Sequence, residues 1–381
     1  MDLPPFRFLA HRSGIEEYLR GIRDEPAVAL DLEADSLHNY REKVCLVQVS
    51  TGQGHAVLDP LASREALQEL GPLLGDPGTE KILHGGDYDV RLLKKDFGFA
   101  VVNVFDTMIA AQFTGRSQFG LAALLLEFFG VTLDKHHQRA DWSARPLSDE
   151  MLAYATLDTA YLIPLRARLG EELVRLGRVE WVREECELLV AVEPAPARRP
   201  WCLDVKGASR LKGQPLAVLQ ELVEVRDTAA RERDVPPFKV FSNQVLLEWA
   251  AKPPTSRHDV VETPGANKGV LGRWASAVLE AVARARALTP DQWPSPTPSA
   301  FEPLTGAQER RLKRLKRVRE DSAARLSLAP GLLVNSATLE RLAREDPDEV
   351  FASLPGALKR WQRSVLEEPL VRALRGDDPP A

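Results

Sequence analysis

The chain has 381 residues, of which 44% are hydrophobic and 28% charged, with a net charge of −5; this ordinary globular composition excludes a disordered or collagen-like chain. Its three cysteines, Cys45, Cys186 and Cys202, form no C-x-x-C pair, which argues against a disulfide framework and a cysteine-rich zinc site. No apolar run approaches the about 18 residues that a membrane span requires.

The length suggests two or three domains, each able to bury a core. The beginning, MDLPPFRFLAHR, lacks the basic start and apolar stretch of a secretory signal, so a cytoplasmic protein is expected. Charge is unevenly spread. Residues 1–200 hold 22 Lys+Arg against 31 Asp+Glu, and the remainder holds 28 against 24. An acidic front and a basic back fit a metal-dependent catalytic domain followed by a binding module, and equally fit chance variation among solvated surfaces.

In chain order, AVALDLE (27–33) and KVCLVQVST (43–51) read as strands, and GHAVLDP (54–60) as a third. SREALQELGPLLGD (63–76) has helical spacing, and KILHGG (81–86) is a short strand ending in glycines. DVRLLKKDFG (89–98) resumes helical spacing, and VVNVFDT (101–107) is a strand running into a helix opened by Asp106 or Thr107. From Ser148, SDEMLAYATLDTAYLIPLRARLGEEL (148–173) predicts one long amphipathic helix behind a Ser cap. Strands mixed with covering helices make this an α/β domain with a mixed sheet.

VEPAPARRPW (192–201) and LTPDQWPSPTPSAFEP (288–303) read as extended linkers. The segments behind them are helical and resemble each other. Leu219, Leu222 and Val225 match Leu312, Leu315 and Val318; Ala229, Ala230, Arg231, Pro236, Val240 and Ser242 match Ala323, Ala324, Arg325, Pro330, Val334 and Ser336 one residue further on. TPG ending at Gly265 parallels LPG ending at Gly356. A duplicated helical module is the reading. The expected division is 1–192, a linker 193–207, a first module 208–288, a Pro-rich linker 289–303, and a second module 304–381.

Four carboxylates and a tyrosine stand out on this outline. Asp31 and Glu33 are two apart on a strand and share a face, where they repel each other. Asp89 lies near a helix start, and Tyr154 and Asp158, four apart, share a helical face. Phosphodiesters are cleaved by paired divalent cations clamped between carboxylates, and hard cations want such oxygen ligands. Tyr154 could orient the attacking water or accept its proton. Taken singly, D-x-E at a strand end is more often a solvated edge. An Asp at a helix start is usually a cap, strongly so for Asp106 and partly for Asp89. The run RRLKRLKRVR (310–319) is more often a solvated helix face than a phosphate track. His136 and His137 lack the spacing of a zinc site.

The series DLEADSLHNYREKVCLVQVST, ILHGGDYDVRLLKKDFG, FDTMIAAQF and KHHQRADWSARPLSDEMLAYATLDTAYL resembles ribonuclease D, of the DEDDy 3′–5′ exonucleases, in order and over most of residues 6–180. The resemblance implies a ribonuclease H-like fold and hydrolysis of RNA from its 3′ end with two divalent cations, Mg²⁺ or Mn²⁺. It makes Asp31, Glu33, Asp89 and Asp158 the metal ligands and Tyr154 the residue that positions water. Ala153 stands where the sister DEDDh group carries a histidine base. Lys135 and Gln138, and less directly His38, fall where related enzymes meet the terminal nucleotide or scissile phosphate, while Trp142, Arg145 and Pro146 brace the loop before the last motif. LKGQPLAVLQELVEVRDTAARERDVPPFKVFSNQVLLEWA (211–250) resembles an HRDC domain, and the second copy departs from it with APGLLVNS in place of PPFKVFS. The resemblance over the whole chain implies an exonuclease domain followed by two small all-α HRDC-like domains.

The expected function is a 3′–5′ exoribonuclease that releases nucleoside 5′-monophosphates in the processing of transfer RNA or small structured RNA. RNA is the expected partner, with no membrane and no obligate protein. The alternatives are a DNA-directed exonuclease and a catalytically dead nucleic-acid-binding protein.

Overall fold

The computed structural model describes residues 4–134, 136–196, 198–264, 267–295, 303–346, 354 and 356–375. The chain divides into two compact units. One comprises Met1–Glu33, Val44–Pro194 and Glu302–Ala381; the other comprises Ala34–Lys43 and Ala195–Phe301.

The first unit is built on a six-stranded sheet of β1 (Phe6–Leu9), β2 (Ala27–Ala34), β3 (Val44–Thr51), β4 (Gly54–Leu58), β5 (Glu80–Leu83) and β6 (Val104–Asp106), in the order β1-β4-β3-β2-β5-β6. Every residue of β3, VCLVQVST, is buried, as a run of β-branched and apolar residues in mid-sheet should be. β3 turns tightly into β4, with Thr51 opposite Gly54, and this pair is antiparallel. β1 joins β4 in parallel, β2 pairs in parallel with β5, and β5 with β6. The sheet is therefore mixed, as expected. Because β2, β5 and β6 run the same way, the residues at their carboxyl ends gather along one edge.

Helices α1 (Arg12–Gly21), α2 (Leu70–Gly75), α3 (Asp87–Phe97), α4 (Thr107–Phe113), α5 (Leu121–Phe129), α6 (Asp149–Ala160), α7 (Leu162–Leu176) and α8 (Val179–Val190) accompany the sheet. Two expectations are corrected. The helix expected over 63–76 is a 3₁₀ turn, Glu65–Glu69, followed by α2, with Pro72 in the first turn of α2 where no N–H is needed. The single helix expected over 148–173 is interrupted at Tyr161 and restarts as α7. Pro164 explains the break. It has no N–H for the carbonyl of Ala160, so it is accommodated only in the first turn of a new helix.

In the second unit, α9 (Gln214–Arg233), α10 (Asn243–Ala251), α11 (Arg257–Val261) and α12 (Lys268–Ala287) enclose a core containing Leu219, Leu222, Trp249, Leu271 and Val278. Tyr40 packs against this core, and its hydroxyl donates to Asp227 at 2.8 Å.

The last segment of the first unit holds α13 (Gly306–Leu326), α14 (Pro330–Leu333), α15 (Ser336–Arg344) and α16 (Arg360–Arg375). The repeat is visible in it: α9 has 20 residues and α13 has 21, and each ends in a left-handed non-glycine residue, Asp234 and Ser327. Side chains cap α10, which follows α9, and α15, the second helix after α13: Ser242 for α10 but Asn335 for α15, so the cap stands one residue before the Ser336 that aligns with Ser242. This second module shares its core with the sheet-bearing domain. Phe113 meets Trp361 edge-on at 5.0 Å, and Trp181 stacks on Trp361 at 5.2 Å. Glu184 of α8 accepts the backbone N–H groups of Arg360 at 2.7 Å and Trp361 at 2.9 Å, satisfying the open amides at the start of α16. No helix among the described residues is long and apolar enough to cross a membrane.

Candidate active site

β2 alternates in its last turns: Leu30 and Leu32 are buried toward one face, while Asp31 and Glu33 share the other. Asp158 comes from α6. That helix is started by Ser148, whose hydroxyl accepts from the Met151 N–H at 3.2 Å, and it seats Leu152 and Ala155 against Cys45, Leu46 and Val57. Thr159, beside Asp158, places its hydroxyl 2.7 Å from that of Ser50 on β3, which fixes how α6 lies along the sheet. Carboxylate oxygens of Asp31, Glu33 and Asp158 thereby fall within 4.8 Å of one another.

Asp89 arrives by a different route. After β5 the chain turns through Gly85, at φ +68°, and then Gly86, where a Cβ would lie 2.5 Å from the Leu83 side chain; only glycine fits the second position. The Gly86 N–H donates to Asp106 at 2.8 Å. The other oxygen of Asp106 accepts from Met108 and Ile109 at 2.8 and 3.0 Å, so Asp106 caps α4 and ties the β6 end to the β5 end. Asp89 itself is the third residue of α3, inside the helix, and is buried.

Burial pushes Asp31 up to about 7, against a pull downward from the Leu32 N–H. Glu33 is pushed up to about 10 by burial and then by Asp31, Asp158 and Asp89. Asp89 and Asp158 are likewise raised, by burial first and by Asp31 next. Three carboxyl groups held this close, with Asp89 interacting with each of them, cannot all carry charge without a compensating cation. All of their donor atoms are hard oxygens, so the set fits a divalent metal of the Mg²⁺ type.

Tyr154 completes the cluster. Its phenol lies beside Asp158, whose charged form it favours, and beside Gln138, on the turn His136–Arg139, which pulls the phenol's own pKa down. Burial first, and then Asp158, Glu33 and Asp31, raise its pKa above the ordinary tyrosine value. Its ring stands edge-on to His137 at 5.8 Å and against Trp142 at 6.0 Å. Trp142 is 2% exposed. The loop bearing it is held by Arg145, whose guanidinium donates to Asp59 at 2.7 and 2.8 Å, to the carbonyls of Trp142 and Ala144 at 2.8 Å, and to that of Cys45 at 3.0 Å.

The structure thus brings together Asp31, Glu33, Asp89, Tyr154, Asp158 and Gln138. Lys135 lies outside the described residues. His38 sits in a turn of the second unit, where its N–H donates to the Asp35 carbonyl at 2.8 Å. Asp35, just past the end of β2, is fully buried and accepts from the Lys43 N–H at 2.8 Å and from Lys43 Nζ at 3.2 Å. Sequence reading overlooked Asp59, Ser50 and Thr159. Asp59 ends a strand-like run as L-D-P, and a carboxylate there has no patterned partner until Arg145, far along the chain, is brought to it.

The 3′–5′ exonuclease family matches residues 6–174, and the HRDC domain family matches residues 216–282. Ribonuclease D of Gluconacetobacter diazotrophicus is 33% identical over 349 residues, covering 90% of this chain and 86% of its own. Ribonuclease D of Pseudomonas paraeruginosa is 30% identical over 97% of this chain and 98% of its own. Among solved structures, Escherichia coli RNase D, described as an exoribonuclease involved in structured RNA processing, superposes with a TM-score of 0.74 at 26% identity, covering 98% of this chain and all of that one. The catalytic core of RRP6 from Trypanosoma brucei superposes with a TM-score of 0.69 at 32% identity, over 76% of this chain and 82% of that one.

Proposed function

The chain belongs to the ribonuclease D family and is a 3′–5′ exoribonuclease, and we propose that it trims the 3′ ends of transfer RNA or other small structured RNAs one nucleotide at a time. The observation that carries the chemistry is the convergence of Asp31, Glu33 and Asp158, with Tyr154 beside Asp158. Water attacks the last phosphodiester, a P–O bond to water forms as the bond to the 3′ oxygen breaks, and a nucleoside 5′-monophosphate departs. Asp31, Glu33, Asp89 and Asp158 would hold two divalent cations, Mg²⁺ or Mn²⁺. Such cations, when bound, acidify a water and offset charge on the phosphate and the leaving oxygen.

The chain's own groups do the placing. Tyr154, kept protonated by its buried setting, serves as a hydrogen-bonding group that orients the nucleophilic water. Gln138 lies beside the phenol, and Gln138, Lys135 and His38 are assigned to the terminal nucleotide. Residues 1–192 carry the catalysis, and the modules at 208–288 and 304–381 hold the body of the RNA. A cytoplasmic place of action is supported by three buried cysteines that form no disulfide.

The test is digestion of matched RNA and DNA oligomers, 5′-labelled, with a single-stranded or hairpin 3′ end, in Mg²⁺, Mn²⁺ or EDTA. Stepwise loss of mononucleotides from RNA, dependent on the metal, is expected. Equal or faster digestion of DNA would favour the repair exonuclease, and binding without hydrolysis in any metal would favour the inactive binder.

A further inference from the structure

A groove of about 670 Å³ lies between α13 and α16. Its α13 wall carries Arg310, Lys313, Arg314, Arg317 and Arg325, which at 100° per residue fall within about 120° of one another on the helix. From Arg310 to Arg325 this ladder runs about 22 Å at 1.5 Å per residue. Arg372 adds a cation from α16, and Val318, Pro369 and Ala373 supply uncharged surface. Two acids enter the groove, and both are matched: Asp321 lies 3.8 Å from Arg317, and Glu368 pairs with Arg372. Arg314 donates to the Ala373 carbonyl at 2.8 Å and so joins the two helices. Arg310, Lys313 and Arg325 are exposed and have no ion-pair or hydrogen-bond partner among the described residues.

The duplicated module provides an internal comparison. Through the register that matches Leu219, Leu222 and Val225 to Leu312, Leu315 and Val318, the positions of Arg310, Lys313, Arg314 and Arg317 correspond to Ala217, Gln220, Glu221 and Glu224. In the first copy that face is occupied. Ala217 is fully buried, Gln220 holds the Cys202 N–H and the Pro200 carbonyl at 2.9 Å each, Glu221 pairs with Arg284 at 2.7 Å, and Glu224 pairs with Arg199. The second copy has replaced a closed, acidic face by an open, cationic one. Helix stability does not require this. Arginines and lysines placed three and four residues apart repel one another, and among the five on α13 only Arg317 has a carboxylate partner among the described residues.

We propose that the α13–α16 groove of the C-terminal module binds the phosphate backbone of the RNA body, gripping it while the 3′ end is degraded at the carboxylate cluster. This rests on the reading of the chain as an RNA-directed exonuclease. The ladder is longer than a single nucleotide, which points to several phosphates in succession, and guanidinium forks grip phosphate oxygens in pairs. Contacts of this kind add affinity without reading sequence.

The test uses the full chain carrying R310Q, K313Q and R325Q together, three exposed positions whose loss breaks no contact. Binding of a fluorescent hairpin RNA with a 3′ tail is followed by anisotropy in EDTA, over a range of salt. Expected are at least tenfold weaker binding than wild type and a log–log salt slope shallower by about 2, the value for three lost phosphate contacts. Hydrolysis of a trinucleotide in Mg²⁺ should be unchanged. Equal RNA affinity and equal salt slope in wild type and variant would overturn the proposal. So would displacement of the RNA from wild type by AMP or tripolyphosphate at the concentrations at which unlabelled RNA competes, which would make the groove a site for small phosphates, or by poly-glutamate at those concentrations, which would point to an acidic protein. If wild type binds RNA through the groove yet hydrolyses none, the groove stands and the exonuclease reading fails.

Discussion

Tyr154 and Asp158 stand one turn apart on α6, the phenol beside the carboxylate that also faces Asp31 and Glu33 and favouring its charged form. The helix sets their spacing, and the Ser50–Thr159 contact sets their height over the sheet. Tyr154→Phe keeps the ring against Trp142 and His137 and removes only the hydroxyl. We expect kcat to fall by about 100-fold or more, within the span of general acid–base contributions, with KM and melting temperature little changed. Single-turnover hydrolysis of a short RNA checks this. An unchanged rate would take Tyr154 out of the mechanism.

The carboxylates proposed to hold the metals work against the fold. Glu33 is raised from an ordinary 4.5 to about 10. A carboxyl raised in the folded state lends its stability while protonated, fully below about 4.5, and that stability is lost as pH rises toward 10. At pH 7 to 8 in EDTA, Glu33→Gln should therefore raise the unfolding free energy, by roughly 1–3 kcal/mol. In Mg²⁺ the same variant should have lost hydrolysis. Urea titration in EDTA gives the answer, and a variant less stable than wild type would show that the four carboxyl groups do not strain one another.

Much of this arrangement was legible in the sequence because it is local. D-x-E on a strand and Y-x-x-x-D on a helix each fix a shared face by periodicity alone, and H-G-G announces a turn that no side chain can enter. What escaped reading depends on long-range partners or on weak patterns. β1 is a four-residue edge strand with no fully buried position, so it carries little alternation to detect. The break at Tyr161 was signalled by Pro164 but masked by an apolar spacing that continues across it. Asp106 read correctly as a helix cap, yet its second bond, to Gly86, follows only once β5 and β6 lie side by side. The fusion of the C-terminal module's core with α4, α7 and α8 has no local signature, because Glu184 becomes a cap only for a helix that begins far along the chain.

His84 directly follows β5 and stands beside Thr107, with Nδ1 2.9 Å from the Thr107 hydroxyl. Burial pushes its pKa down to about 4, against a smaller upward pull from Asp106. The folded chain thus keeps a neutral imidazole where the unfolded chain takes up a proton near 6.5. The stability linked to His84 is whole above about 6.5 and is lost as pH falls through the interval to about 4. In His84→Asn that loss should vanish, so the stability of the variant relative to wild type should rise by about 2 kcal/mol between pH 7 and pH 4.5. Parallel pH profiles for the two proteins would refute it.

Arg145 and Asp59 give the last prediction. Asp59 is 3% exposed and holds two of the guanidinium nitrogens, while the remaining donors fix the carbonyls of Trp142, Ala144 and Cys45. Arg145→Met would leave a buried carboxylate, partly satisfied by the Leu61 and Ala62 N–H groups, and should destabilise the protein by about 3 kcal/mol. It should also lower kcat, because the loop that sets Trp142 against Tyr154 loses its anchors to the sheet. Adding Asp59→Asn removes the stranded charge, so the double variant should regain stability without regaining rate. Lysine at 145 should not restore the rate, since an ammonium cannot serve Asp59 and three carbonyls from one planar fork. If the double variant recovered both stability and kcat, the bonds to the Trp142 loop would have no part in holding Tyr154, and the ion pair alone would explain Arg145.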